Sequence, residues 1–376
     1  MNSQYQPLFE PISLGNGVKT KNRFAMAPML VFASKDDGTV SQQDLDYFTL
    51  RDNTGGLIIS GAAAVSEEGL GMINQIAAYD DGKTDGLQKL AGVMKAKGNK
   101  AILQLHNAGR EAAGAYQLYG KVLAPSAINF PFLPYVPEEL THEQILSIID
   151  DYGEATRRAI EAGFDGVEVH GANHYLLQQF FSAYSNTRED EWGGSWEKRM
   201  KFPLAVLKRV KEVAAEKAEK DFIVGYRISP EEVHGENVGY TVDDALMLID
   251  KVVENGADYV HISTGDYKAM PQKGGKGEPT ALTIKKCIGG RVPMLLAGEI
   301  LTPEDALDAL RYTDIVALAR AVLIDPDFVP KIESGREASV ETSVEGRLDQ
   351  LALSDTLVGF WKMENSPLPP LKGLNC

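Results

Sequence analysis

Cysteine is nearly absent from this chain. Cys287 and Cys376 are the only two in 376 residues, and they form no C-x-x-C pair. A zinc ribbon or an iron–sulfur cluster therefore lacks its ligands, and two isolated thiols suit a reducing cytoplasm. Positive charge is also short. Lys and Arg number 38 against 53 Asp and Glu, a net charge of −15, which disfavours a nucleic-acid binder. Histidines number only six and no H-x-H pair follows the first apolar segment, so a metal-dependent barrel hydrolase is a poor fit and no metal is expected. No apolar run approaches a bilayer span. Met1–Pro7 has no basic region leading into an apolar stretch, so no signal peptide is expected. No strand-like segment is followed by G-x-G-x-x-G, which weakens an open doubly wound sheet.

What the chain does have is a globular composition, 44% hydrophobic and 24% charged, able to build a sizeable core. Short apolar segments recur at Arg23–Ala27, Gly56–Gly61, Lys100–Leu105, Gly166–His170, Phe222–Ile228, Asp258–Ser263, Val292–Ala297 and Asp314–Leu318. They read as strands buried on both faces. Amphipathic stretches lie between them: Asp44–Arg51, Thr84–Lys97, Thr141–Ala162, Glu197–Lys217, Thr241–Asn255 and Pro303–Arg311. Thr141-His142-Glu143-Gln144 has the spacing of a capping box, Gly163 and Gly256 of helix stops, and Thr302-Pro303 of a cap before proline in the first turn.

Eight such alternations predict parallel strands closed into an α/β fold of the (β/α)8 TIM-barrel type. The surplus length sits in Asn107–Leu140, Gly171–Trp196 and Gly265–Gly277, each after a strand, so long loops should rise from the C-terminal face. Residues 1–335 read as one barrel. Residues 336–376 read as a less regular extension that packs on the barrel or on a second subunit, which keeps a homo-oligomer among the readings. The stretch Pro367-Leu368-Pro369-Pro370 reads as an extended arm.

One segment carries chemistry. Gly166-Val167-Glu168-Val169 leads into His170, Asn173 and Tyr175, which puts two hydrogen-bond donors and a phenol at the end of a strand. Such a group can hold a carbonyl or nitro oxygen and deliver a proton beside it. Taken alone it reads as a strand end with ordinary loop polars.

Further motifs fall into step with it. They are Lys21-Asn22-Arg23-Phe24-Ala25-Met26-Ala27-Pro28-Met29, Gln104-Leu105-His106-Asn107-Ala108-Gly109-Arg110, Ser185 through Ser195, Tyr226-Arg227-Ile228-Ser229 and Ala317-Leu318-Ala319-Arg320 through Pro326. In their order and spacing the chain resembles the old yellow enzyme family of flavin-dependent ene-reductases, from about Leu8 to about Asp327. The resemblance implies non-covalent FMN on the barrel top, reduced by NADH or NADPH, and an activated alkene (enone, enal or nitroalkene) as substrate. It implies that Ala27, Pro28, Met29, Leu30 and Ala62 lie against the flavin, with Gln104 at its pyrimidine edge. Arg227 would lie near N1–C2=O, and Ala297, Gly298, Ala319 and Arg320 around the phosphate. It implies that His170 and Asn173 bind the substrate oxygen. Hydride then passes from flavin N5 to the β-carbon and Tyr175 protonates the α-carbon.

Read singly, Gln104 is a structural amide and Arg227 an ion-pair partner, since buried polar groups are usually just satisfied. His106 and His174 read as supporting histidines, and Trp192-Gly193-Gly194-Ser195 as a structural turn. Two positions depart from the family pattern. Leu30 stands where Cys or Thr is common, and His174 where glycine is usual. Larger members add an iron–sulfur centre and a nucleotide-binding domain. The cysteines for the first are missing here, so direct flavin reduction in the substrate pocket is expected. The other readings are an FMN barrel with different chemistry (oxidative demethylation or dihydropyrimidine-type) and a non-catalytic flavin- or ligand-binding barrel.

Overall fold

The computed structural model describes residues 1–366 and 368–374; Pro367 and Cys376, named above, lie outside them. Eight parallel strands close into a barrel in chain order: β1 (Phe24–Met26), β2 (Leu57–Ala64), β3 (Lys100–His106), β4 (Gly166–Gly171), β5 (Ile223–Ile228), β6 (Tyr259–Ser263), β7 (Met294–Ala297) and β8 (Ile315–Leu318). All eight apolar segments of the sequence are in it. Their residues are buried on both faces because one side meets the helices and the other the barrel interior. Inward positions of β1, β2, β7 and β8 are apolar: Ala25, Leu57, Ile59, Leu295, Ile315 and Ala317 form one cluster with Leu14. Leu14 arrives on a hairpin pairing Ile12–Ser13 with Lys19–Thr20, which closes the N-terminal end.

The outer layer is α1 (Gln42–Leu50), α2 (Thr84–Lys95), α3 (His142–Glu161), α4 (Trp196–Lys217), α5 (Val242–Glu254), α6 (Thr280–Ile288), α7 (Pro303–Ala309) and α8 (Phe328–Glu333). Capping boxes start α1 (Ser41/Asp44), α3 (Thr141/Gln144), α5 (Thr241/Asp244) and α7 (Thr302/Asp305). Each supplies acceptors for backbone N–H groups that the first turn leaves free. Helix α3 buries Ile145, Ile148, Tyr152, Ala155 and Ala159, and each large side chain of such a face contributes ~1.5–3 kcal/mol. No helix among the described residues is long and apolar enough to cross a membrane.

Residues 336–366 have more regular structure than their sequence suggests. They contain α9 (Asp355–Lys362), capped by Ser354, whose Leu357 and Trp361 are buried. The segment is tied to the barrel. Buried Arg51 donates to the carbonyls of Val322 (3.0 Å) and Leu351 (2.9 Å), and Ser354 Oγ donates to Val31 O.

Candidate active site

Side chains alternate inward and outward along a strand. Closure therefore brings Gln104 and His106 of β3, Glu168 and His170 of β4, Arg227 of β5, and His261 and Ser263 of β6 to one side of the interior at its C-terminal end. The register pairs Gln104 with Glu168, His170 with Arg227, and Arg227 with His261. Above them opens a cavity of roughly 980 Å³, enough for a large cofactor with a small second ligand.

Every candidate from the sequence lines this cavity except Ala27. Ala27 is buried in the barrel-interior cluster, its N–H donating to Leu318 O at 2.8 Å. Pro28, Met29, Leu30 and Ala62 line the cavity as an apolar wall; Ala297, Gly298, Ala319 and Arg320, after β7 and β8, line a further corner. A Cβ at Gly298 would meet Thr264 Cγ2 and Tyr267 N at 2.8 Å, so only glycine lets the loops close this tightly there. Sequence reading missed Met72, Glu111, Phe32 and the α9 residues Leu357, Phe360 and Trp361 in the lining. For α9 a signal existed: Ser354 is followed by apolar residues at helical spacing.

The Arg227 guanidinium is buried. Its Nη2 donates to Ser263 Oγ (3.0 Å), while Nε has no partner among the described residues. Ser263 Oγ donates to Asn173 Oδ1 (2.9 Å), and Asn173 N–H donates to Ser229 Oγ (2.9 Å). The Asn173 carbonyl is thus committed and its amide N–H groups are left to donate. On His170, Nδ1 accepts from the Ala172 N–H at 3.4 Å, which leaves the proton on Nε2. Burial, then the Arg227 charge, holds its pKa well below the usual imidazole value, so the donor is neutral. Tyr175 packs against both His106 and His170, with centroids at 4.3 and 5.2 Å. Burial, followed by the nearby Glu111, raises its phenol above the usual value, so it is a neutral acid.

Asn173 and His174 both take left-handed φ, +57° and +66°. A non-glycine residue at position 174 is thus held in a strained backbone conformation. Neighbours hold it there: His174 N–H donates to Gln178 Oε1 (3.0 Å) and Gln179 Nε2 donates to His174 O (2.6 Å). His174, Glu232 and His234 place potential ligand atoms within 4.8 Å of one another. Gln178 Nε2, however, already lies 3.1 Å from His174 Nδ1 and donates to Glu232 at 2.7 Å.

The unpartnered Arg227 Nε, the Gln104 amide, the apolar wall and the Gly298–Arg320 corner fit a flat ring system with one polar edge and an anionic tail. FMN has that shape.

Comparison with known proteins agrees. The model of the NADH:flavin oxidoreductase / NADH oxidase family matches residues 7–339. The "Probable NADH-dependent flavin oxidoreductase YqiG" of Bacillus subtilis is 41% identical over 92% of this chain and 93% of its own length. The "NADH:fumarate oxidoreductase" of Klebsiella pneumoniae is 40% identical over 88% of this chain but 36% of its own length. The structure of the old yellow enzyme homologue from Zymomonas mobilis superposes with a TM-score of 0.78 at 26% identity, covering 96% of this chain and 99% of that one.

Proposed function

Because the chain belongs to the NADH:flavin oxidoreductase / NADH oxidase family, with FMN as cofactor and a nicotinamide as reductant, we propose that it reduces activated alkenes such as enones, enals and nitroalkenes. The observation that carries this reading is the hydrogen-bond chain Arg227–Ser263–Asn173. With Nδ1 of His170 engaged by Ala172, it leaves two neutral donors and the Tyr175 phenol on one cavity.

Bound FMN would supply hydride-transfer chemistry, from the nicotinamide to the β-carbon of the alkene. Gln104 would meet the pyrimidine edge, and Arg227 would place positive charge where negative charge develops on reduction. Ala297, Gly298, Ala319 and Arg320 would hold the phosphate, while Pro28, Met29, Leu30 and Ala62 would enclose the ring. His170 Nε2–H and Asn173 Nδ2–H donate to the carbonyl or nitro oxygen of the substrate, which makes the β-carbon electrophilic. Tyr175 gives its proton to the α-carbon. Trp361, Leu368 and Pro370 of the C-terminal segment line the same cavity.

The test is a visible spectrum of the purified protein, followed anaerobically on adding NADH or NADPH and then cyclohexenone. Flavin bands that bleach and then return support the reading. A protein that takes up no FMN overturns it. A yellow protein that bleaches but is not reoxidised by the enone keeps the flavin site and removes the alkene chemistry.

A further inference from the structure

Beneath the proposed flavin site, the barrel interior holds a polar group that the reaction above does not use. Glu168 lies one inward position before His170 on β4 and is wholly buried, as are Tyr259 and His261. Its Oε1 accepts from Gln104 Nε2 at 2.7 Å, and its Oε2 accepts from the Tyr259 hydroxyl at 3.0 Å and lies 2.9 Å from His261 Nδ1. The chain makes room for this group. Gly225 is paired with Glu168 on one side and Tyr259 on the other, and a Cβ there would overlap the Tyr259 ring.

An unpaired buried carboxylate would cost several kcal/mol, and even a paired one is often no more stabilising than an apolar residue of the same size. Stability alone therefore gives no reason for an anion at this position. Burial pushes the Glu168 carboxyl up, but His261, Arg227 and Gln104 together bring it below the usual carboxylate value, so it is ionised. Burial keeps His261 below the usual imidazole value; it is neutral and donates Nδ1–H to Glu168.

The consequence falls on Gln104. An amide has a donor end and an acceptor end, and an ionised carboxylate only accepts. Gln104 must therefore turn its NH2 toward Glu168, which leaves its Oε1 as the atom offered to the cavity that it lines. Such an acceptor matches a ring N–H of the flavin, not a ring carbonyl. The same anion shares the interior with Arg227 and offsets the positive charge that favours reduced flavin.

We propose that Glu168, held by Tyr259 and His261, is the positioning residue of the flavin site: it orients Gln104 toward the pyrimidine edge and lowers the flavin's reduction potential. The inference rests on the reading of Gln104 and Arg227 as flavin contacts.

The test is the midpoint potential of bound FMN and its dissociation constant in wild type, Glu168→Gln and Glu168→Met. Glu168→Gln keeps the shape and removes the charge. Reduced FMN should then be favoured over oxidised FMN by about tenfold, a rise of ~30 mV for a two-electron couple. Glu168→Met also removes the acceptor, so oxidised FMN should bind about tenfold more weakly, and that loss should vanish when Gln104 is already Met. If Glu168→Met does not fold, the near-isosteric Glu168→Gln decides alone. An unchanged potential in Glu168→Gln, with or without a fall in Tm, overturns the inference and leaves a structural role. A wild-type protein that takes up no FMN overturns the underlying reading as well, so the two failures are distinguishable.

Discussion

The phenol ring of Tyr175 stands edge-on to the imidazole of His106, with centroids 4.3 Å apart and planes at 88°. His106 is fully buried and neither ring nitrogen has a partner among the described residues. It therefore acts on Tyr175 through packing, as a wall that fixes the plane of the phenol. A Tyr175→Phe variant keeps that packing and loses the proton. Alkene reduction should slow by ~10²-fold or more, while flavin reduction by NADH or NADPH stays within about twofold, since general acid catalysis serves only the alkene step. Rapid-mixing measurements of the two half-reactions check this. An equal fall in both would remove Tyr175 from the proton step.

His106 also makes stability depend on pH. Burial lowers its pKa from 6.5 to about 3. Between those values the unfolded chain binds a proton that the folded chain refuses, so stability is lost as pH falls below the unfolded value. The slope is up to ~1.4 kcal/mol per pH unit for one full proton. Burial pushes His170 and His261 the same way. Urea midpoints should fall steadily from pH 7 to pH 5, and His106→Asn should flatten part of that slope. An identical slope in the variant would mean that His106 takes up its proton without unfolding.

The left-handed backbone at His174, φ +66°, has a measurable cost. Replacing His174 by glycine relieves ~1–2 kcal/mol of strain but gives up ~0.5–1 kcal/mol to the freer unfolded chain. It also loses the contact with the His234 ring, 5.2 Å between centroids. The terms nearly cancel, so stability should change by less than ~1 kcal/mol. The cavity gains room beside Asn173, so bulkier alkenes should become substrates. His174→Val cannot take this backbone easily and should cost ~1–3 kcal/mol. Urea denaturation of the pair decides, and equal stabilities would show that the loop relaxes.

Trp361 is the anchor of the C-terminal segment. It is 5% exposed, and its Nε1 donates to Pro369 O at 2.9 Å. Next to it Arg320 Nη1 donates to Pro370 O at 3.0 Å, and Phe360 meets Phe32 with centroids 5.0 Å apart. Trp361→Ala removes ~3–5 kcal/mol of packing, more than such a short strap can lose and still stay closed. FMN should then dissociate about tenfold faster, with the barrel's far-ultraviolet circular dichroism unchanged. Unaltered FMN retention would mean that the strap covers the site without holding the cofactor.

Much of this protein was readable before its structure. Each barrel strand shows itself as a short apolar run because both of its faces are dry. The capped helices show themselves through Thr141/Gln144 and Thr302-Pro303, since a cap is a local bargain between neighbouring residues. The two antiparallel hairpins, Ile12–Thr20 and Glu232–Tyr240, did not, because strands of two to four residues carry too little alternation to be told from loop. Helix α9 was hidden among prolines and charges, although Ser354 and the Leu357–Trp361 spacing were there to be read.

The sequence by itself determined the strand and helix alternation, the residues at each strand end and the departures at Leu30 and His174, because these depend on local periodicity and residue type. Only tertiary structure decided that Ala27 is buried in the barrel-interior cluster, that Ser263 links Arg227 to Asn173, and that Glu168 of β4 meets Gln104 of β3 and both Tyr259 and His261 of β6. A lone strand does not specify which of its two faces is inward. That choice is made when the eighth strand closes on the first, and the polar side chains then meet partners that are 64 to 93 residues away in the chain.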